Sequence, residues 1–112
     1  MKKLEIIVKP GKSSAVREAI EAAGFLGITV SQAEGHGTQK GLTKQKGEGN
    51  YRLELVPKIR LEIVVPDSAV EPVIEAVVKA AKTGQPGDGK IFVSDVKDVI
   101  RIRTGERGDA AV

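Results

Sequence analysis

Residues 58–81 read KIRLEIVVPDSAVEPVIEAVVKAA, and they carry the clearest structural pattern in the chain. In the first part, apolar side chains alternate with charged ones, which is typical of a β-strand with one buried face. From Asp67 or Ser68 onward, apolar residues recur at helical spacing, which predicts a helix that Gly84 closes. The apolar positions of the strand are Ile59, Leu61, Ile63 and Val65, and those of the helix are Val70, Val73, Ile74, Val77, Val78 and Ala81.

The N-terminal half repeats this order of elements. Leu4, Ile6 and Val8 alternate along a first strand that Pro10-Gly11 ends. A helix follows, with Ser13 or Ser14 as its cap and Gly24 as its stop, and Ile28 to Glu34 reads as a second strand. The helix carries its apolar stripe on Val16, Ala19, Ile20 and Ala23, and the second strand points Ile28 and Val30 inward.

Two short strands are predicted after the second helix, around Ile91–Val93 and Val99–Arg103. The main elements then run β-α-β-β-α-β, the order of a ferredoxin-like sandwich in the α+β class. Two helices cover one face of such an antiparallel sheet. The opposite face needs cover as well, and a second subunit is the natural candidate.

The segment from Gly35 to about Asn50 breaks the pattern. It is rich in glycine and lysine and has no hydrophobic face to bury, so we expect a long mobile loop. A loop of this length inside a small domain is usually functional or disordered.

The amino-acid composition limits the classes of protein to which this chain can belong. The chain has 112 residues, which fits a single domain over residues 1–112, and its formal net charge of +3 is too mild for a general nucleic-acid binder. It contains no cysteine, and His36 is the only histidine, which argues against thiolate chemistry and a histidine-based zinc site. Without a long apolar run, we expect neither a signal peptide nor a membrane span, and a cytoplasmic location.

Residues 83–105 carry the pattern closest to a ligand site. Thr83-Gly84-Gln85-Pro86-Gly87-Asp88-Gly89-Lys90 combines backbone that can approach a ligand closely with a point charge on Lys90. In an extended segment, Arg101 and Arg103 project to one face. Together they form a plausible polyphosphate cradle.

Four separated stretches make the chain resemble the PII nitrogen-regulatory signal-transduction proteins over nearly its whole length. The most specific is the run from Thr83 to Val93, and the others are Gly37-x-Gln39-Lys40-Gly41, Pro57-Lys58-x-x-Leu61-Glu62-Ile63-Val64-Val65 and Val99-Ile100-Arg101-Ile102-Arg103-Thr104-Gly105-Glu106. The resemblance implies a homotrimer with nucleotide sites between subunits, no enzymatic activity, and sensing of ATP or ADP.

The resemblance also implies roles for individual residues. The nucleotide-binding set is Thr29, Gly35, Gly37, Thr38, Gln39, Val64, Gly87, Asp88, Gly89, Lys90, Arg101 and Arg103. Gln39 would help hold Mg²⁺, and 2-oxoglutarate would bind at Gln39, Lys40, Gly41 and Lys58. The flexible T-loop, about residues 37–55, would dock onto an ammonium transporter or a nitrogen-assimilation enzyme.

The chain departs from the family pattern at the loop. The loop tip reads Lys46-Gly47-Glu48-Gly49-Asn50-Tyr51, and Thr38 stands where many relatives have arginine. Tyr51 occupies the position that some relatives modify, but we favour the interpretation in which it begins a strand and packs over a modification site. These differences leave open the preference between ATP and ADP, the modification and the docking partner.

Three other functions stand beside this one. A divergent PII-like sensor of another small ligand, such as AMP or bicarbonate, would serve carbon metabolism. A small RNA-binding module would need several aromatic side chains on which bases can stack, and Phe92 alone is weak support for that function. An enzyme would need a positioned base or nucleophile near the phosphates, and the sequence presents no evident constellation of that kind.

Overall fold

The structure is a computed structural model that describes residues 1–38 and 53–112. Its main elements follow the predicted β-α-β-β-α-β order, which confirms the ferredoxin-like sandwich. They are β1 (Lys2–Val8), α1 (Ser13–Ala22), β2 (Thr29–Thr38), β3 (Leu53–Val65), α2 (Val70–Ala81) and β4 (Gly89–Asp95), with short 3-10 turns at Pro10–Lys12, Asp67–Ala69 and Gly108–Ala111.

The four strands form one antiparallel sheet in the order β2-β3-β1-β4. Both helices pack on one face of it, because every second residue of β1 and β3 is apolar and points to that side. The buried core includes Leu4, Ile6, Val8, Leu61, Ile63 and Val65 from the sheet, with Val16, Ile20, Val73 and Val77 from the helices. Each buried aliphatic side chain contributes about 1.5–3 kcal/mol.

The helix ends are set largely by backbone turns. The prediction that Ser13 or Ser14 caps α1 is wrong: Lys12 is at the cap without a side-chain bond, and the Ser13 hydroxyl donates to the Pro10 carbonyl at 3.0 Å. The chain is already turning over Pro10–Lys12 when α1 begins. Gly24, with φ +100°, follows the end of α1 as predicted.

The second strand is longer than the sequence indicated. Gly35 to Thr38 continue β2 and pair with β3 as far as Leu53, so the predicted loop begins too early. Backbone pairing satisfies these amides even though the segment has no apolar side chains. Val30 lies opposite Leu61, so it faces the helices as predicted, but it is 44% exposed because β2 is an edge strand that the helices do not fully cover.

The predicted strand at Val99–Arg103 is also wrong. Its alternating residues form a single antiparallel bridge, between Ile100 and Arg107, and the chain then turns back. The Gly105 amide donates to the Arg101 carbonyl at 2.7 Å, and Gly105 has φ +75°. A tight turn has replaced the extended conformation that the alternation favoured.

The face of the sheet away from the helices, called here the open face, follows from the strand register. It includes Thr29, Ser31, Ala33 and Gly35 on β2, Val56, Lys58, Arg60, Glu62 and Val64 on β3, Lys3, Glu5 and Ile7 on β1, and Lys90, Phe92 and Ser94 on β4. Phe92 is 53% exposed there. Among the helices that the structure describes, none has the length and hydropathy to cross a membrane.

Candidate functional site

The loop between α2 and β4, residues 83–89, is closed on itself by Asp88. One carboxylate oxygen accepts the main-chain amides of Thr83 at 2.8 Å and Gly84 at 2.9 Å. The other oxygen accepts the Thr83 hydroxyl and lies 3.3 Å from the Lys9 ammonium. These contacts hold the two ends of the loop together.

The same contacts keep Asp88 ionised. The hydrogen bond from the Thr83 hydroxyl, followed by the main-chain amides, holds the pKa of the Asp88 carboxyl well below its usual range, and Lys9 acts in the same direction. Because the Asp88 carboxylate is already bonded within the loop, a ligand at this position would contact the Asp88 backbone and not its side chain. Lys9 also balances the charge of this one acidic side chain of the loop, which reduces the repulsion that an anion beside it would meet.

Two glycines shape the end of this loop. Gly89 has φ +111°, and a Cβ atom there would lie 1.8 Å from the Ile7 carbonyl oxygen, so only glycine fits between the loop and β1. Gly87 has φ +92°, and a Cβ there would lie 3.6 Å from Lys9 Cε and 3.7 Å from Lys58 Nζ. Two lysine side chains therefore flank the backbone of Gly87.

Lys58 connects this loop with the sheet. Its half-buried ammonium donates to the Gly87 carbonyl at 2.9 Å. Its methylene chain runs beside Gly35, where a Cβ atom would lie 3.4 Å from Lys58 Cγ. The structure thus brings together Gly35, Lys58 and Gly87, three predicted site residues from β2, β3 and the loop.

The remaining predicted residues of the open face are divided between the two ends of the sheet. Lys90 is opposite Ile7, close to the loop, whereas Val64 is opposite Lys3 at the far end of the sheet. Thr29 is opposite Glu62, also near that end. Lys58 and Val64 are six residues apart along β3, which at the rise of a strand is about 20 Å.

Arg101 and Arg103 lie in the C-terminal turn. Arg101 pairs with Glu106 at 3.0 Å and reaches the Ala110 carbonyl at 3.5 Å, and Arg103 is exposed. Within residues 1–38 and 53–112, neither arginine forms a hydrogen bond or ion pair with the 83–89 loop. A single chain does not bring these two predicted phosphate ligands to the glycine-rich loop.

The predicted site residues near the end of β2 fall on both sides of the boundary of the described residues. Gln39, Lys40, Gly41 and Tyr51 lie outside the described residues. Gly37 and Thr38 end β2, with backbone partners Glu54 and Leu53. In the part of the chain that the structure describes, no group of three or more His, Cys, Asp or Glu side chains could hold a metal ion.

Sequence reasoning missed Lys9 and Thr83 as members of the site. Lys9 follows the last residue of β1, and nothing in its local sequence connects it with residue 88. The Thr83 hydroxyl does have a sequence signal, because threonine five residues before aspartate in a glycine-rich run suits side-chain-to-backbone closure of a loop.

Comparisons with known proteins agree with this architecture. The family model described as nitrogen regulatory protein P-II matches residues 1–106. Curated proteins named nitrogen regulatory protein P-II are 53% identical in Mesorhizobium japonicum and 50% identical in Azospirillum brasilense, each over the full length of both chains. The crystal structure of Arabidopsis thaliana PII bound to citrate has a TM-score of 0.80 and 42% identity, covering 99% of this chain and 91% of that one.

Proposed function

Because this chain belongs to the nitrogen regulatory protein P-II family, we propose that it senses adenine nucleotides, ATP or ADP, together with 2-oxoglutarate. On this proposal it is a signalling protein and not an enzyme. It regulates proteins of nitrogen metabolism through the T-loop, residues 37–55. An ammonium transporter or a nitrogen-assimilation enzyme is the expected class of partner.

The observation that carries the proposal is the contact between Lys58 and Gly87. Lys58 is the residue expected to bind the oxoacid, and Gly87 belongs to the loop expected to wrap the phosphates. Their hydrogen bond of 2.9 Å supports a proposal in which the two ligands bind side by side. Two ligands bound at adjoining sites can influence each other's affinity directly, which a sensor of both requires.

The chemistry of the loop suits a polyphosphate. Gly87 and Gly89 expose backbone, Asp88 keeps its own charge paired within the loop, and Lys90 stands at the start of β4. Charge-assisted hydrogen bonds from such groups to phosphate oxygens contribute roughly 1.5–3 kcal/mol each. Phosphate and oxoacid oxygens, with Gln39, would hold Mg²⁺, an ion that prefers oxygen ligands and neutralises phosphate charge when bound.

The separation of the site residues supports a site shared between subunits. Thr29 and Val64 are at one end of the open face, and the 83–89 loop is at the other. A nucleotide bound by one chain would have to stretch along the whole sheet, whereas the end of a second chain can meet the loop of the first. Arg101 and Arg103 would arrive in the same way, in a homotrimer.

The Arabidopsis PII structure adds a related observation, since that protein is bound to citrate. Citrate is a small polycarboxylate, as 2-oxoglutarate is. A carboxylate-binding site in a relative with 42% identity supports the expectation that this chain binds a small organic anion as well.

Isothermal titration calorimetry with ATP and ADP, each with and without Mg²⁺ and 2-oxoglutarate, tests the proposal. We expect binding of an adenine nucleotide, and a higher ATP affinity when Mg²⁺ and 2-oxoglutarate are both present. Binding of AMP or bicarbonate in place of these ligands would favour the divergent sensor of carbon metabolism. Absence of any nucleotide binding at millimolar concentration would contradict the proposal.

A further inference from the structure

The 83–89 loop has two different kinds of attachment. Asp88 joins the ends of the loop to each other through Thr83 and Gly84, and its contact with Lys9 reaches the end of β1. The Gly87 carbonyl, in the part of the loop closest to β4, accepts instead from Lys58 on β3. Lys58 therefore adds a tie from the loop to β3, a strand that the contacts of Asp88 do not reach.

This attachment matters because the loop is rich in glycine. Glycine loses more conformational freedom than other residues when it becomes ordered, and Gly84, Gly87 and Gly89 all have positive φ here. A phosphate group that binds a loose loop must supply the free energy of ordering it. A loop that is already fixed binds the same phosphate more tightly.

The position of Lys58 is itself restricted. Its methylene chain passes Gly35 so closely that a Cβ there would lie 3.4 Å from Cγ and 3.8 Å from Cε. The side chain is half-buried, so its rotamers are fewer than those of a solvated lysine. The ammonium is therefore held within hydrogen-bonding distance of the Gly87 carbonyl.

We infer that Lys58 is a positioning residue for phosphate binding: its hydrogen bond to the Gly87 carbonyl holds the 83–89 loop in the conformation that receives a nucleotide's phosphates. The inference rests on the proposed nucleotide site and gives Lys58 a role before any oxoacid binds. An oxoacid that reaches the remaining hydrogens of the same ammonium would then adjoin a loop already in place.

The test compares wild type with Lys58→Met, which keeps the length of the side chain and removes the donor, and with Lys58→Arg, which keeps a donor. Lys79→Met is the matched control, since it removes the same charge from an exposed position on α2. Calorimetry measures ATP and adenosine affinity without oxoacid. Hydrogen exchange of the Gly84–Gly89 amides is measured without nucleotide.

We expect Lys58→Met to weaken ATP binding about tenfold, the equivalent of one charge-assisted hydrogen bond, and to change adenosine affinity less than about twofold. Loop exchange should quicken in Lys58→Met, Lys58→Arg should recover part of both effects, and Lys79→Met should match wild type. These results together would distinguish loop positioning from a general loss of structure, which would affect adenosine as well.

Two results would overturn the inference while leaving the proposed function intact. Equal ATP affinity in wild type and Lys58→Met would show that the bond does not position the loop. Weaker ATP binding with unchanged loop exchange would show that Lys58 contacts the nucleotide directly. If wild type itself binds no nucleotide, the proposed function fails, and this inference fails with it.

Discussion

Thr83 donates both its hydroxyl and its main-chain amide to the carboxylate of Asp88, five residues further along the chain. The carboxylate also accepts the Gly84 amide, so one side chain satisfies three donors of the same loop. These bonds join residues 83 and 84 to residue 88 and so close the loop. Asp88 is therefore a structural residue of the candidate phosphate loop.

Replacement of Asp88 should loosen the loop. In Asp88→Ala the amides of Thr83 and Gly84 lose their acceptor, and we expect faster hydrogen exchange at residues 83–89 and about tenfold weaker ATP binding. Asp109→Ala is the control, because it removes the same charge from the C-terminal turn. If the loop amides of Asp88→Ala exchange at the same rate as those of wild type, the hydrogen bonds of Asp88 do not hold the loop.

Stability should depend on pH in the acidic range. Hydrogen bonds in the folded state lower the pKa of Asp88, and ion pairs do the same for Asp67, Asp98 and Glu62. A lowered pKa stabilises the fold above the unfolded-state value, and the stabilisation is lost as the pH falls below about 4.

Urea unfolding between pH 2 and pH 7 should therefore show a free energy of unfolding that rises with pH and then levels. In Asp88→Asn the acidic part of this dependence should be shallower, because one of the titrating groups is gone. Identical slopes in wild type and Asp88→Asn would contradict the contacts assigned to this carboxylate.

Gly89 and Gly84 should differ in their tolerance of alanine. Both have positive φ, but a Cβ at Gly89 would lie 1.8 Å from the Ile7 carbonyl oxygen, whereas one at Gly84 meets nothing within 4 Å. Gly84→Ala should cost about 1 kcal/mol from backbone strain alone. Gly89→Ala should cost more than about 2 kcal/mol, because β4 must also move away from β1.

Thermal or urea unfolding of the two variants measures this difference. The Gly84→Ala variant carries the strain without the clash, so the comparison isolates the close approach at Gly89. Similar destabilisation of both variants would show that β4 does not pack against Ile7 as described.

The open face should be an interface. Phe92 lies on the edge strand β4 and is 53% exposed on this face in one chain, and the proposed trimer would bury it. Phe92→Ser should reduce the mass seen by light scattering from trimer to smaller species. Leu26→Ser is the control, because Leu26 is 80% exposed but lies outside the sheet. The assembly formed by this variant should have the same mass as that of wild type.

Much of the fold could be predicted because β1, β3 and both helices bury regular apolar faces. Leu4, Ile6 and Val8 alternate in the sequence and are buried in the structure. Val99–Arg103 alternate just as clearly, but the chain turns at Gly105, so periodicity alone failed where no helix covers the segment. The extension of β2 to Thr38 depends on pairing with β3, which local sequence does not reveal.

The candidate site was only partly predictable for the same reason. Gly87 and Gly89 could be singled out from their spacing, since positive φ and close approach require glycine. The contacts of Lys58 with Gly87 and of Lys9 with Asp88 join residues far apart in the chain. Only the packed sheet brings those side chains together.

A complementation measurement tests whether the nucleotide binds between the glycine-rich loop of one subunit and the C-terminal arginines of another. Lys90→Met and Arg101→Met chains should each bind ATP at least about tenfold more weakly than wild type. Trimers formed by refolding the two variants together should regain wild-type affinity at about one quarter of the sites, where an intact loop meets an intact arginine. No recovery in the mixed trimers, with ATP still bound by wild type, would contradict the shared site.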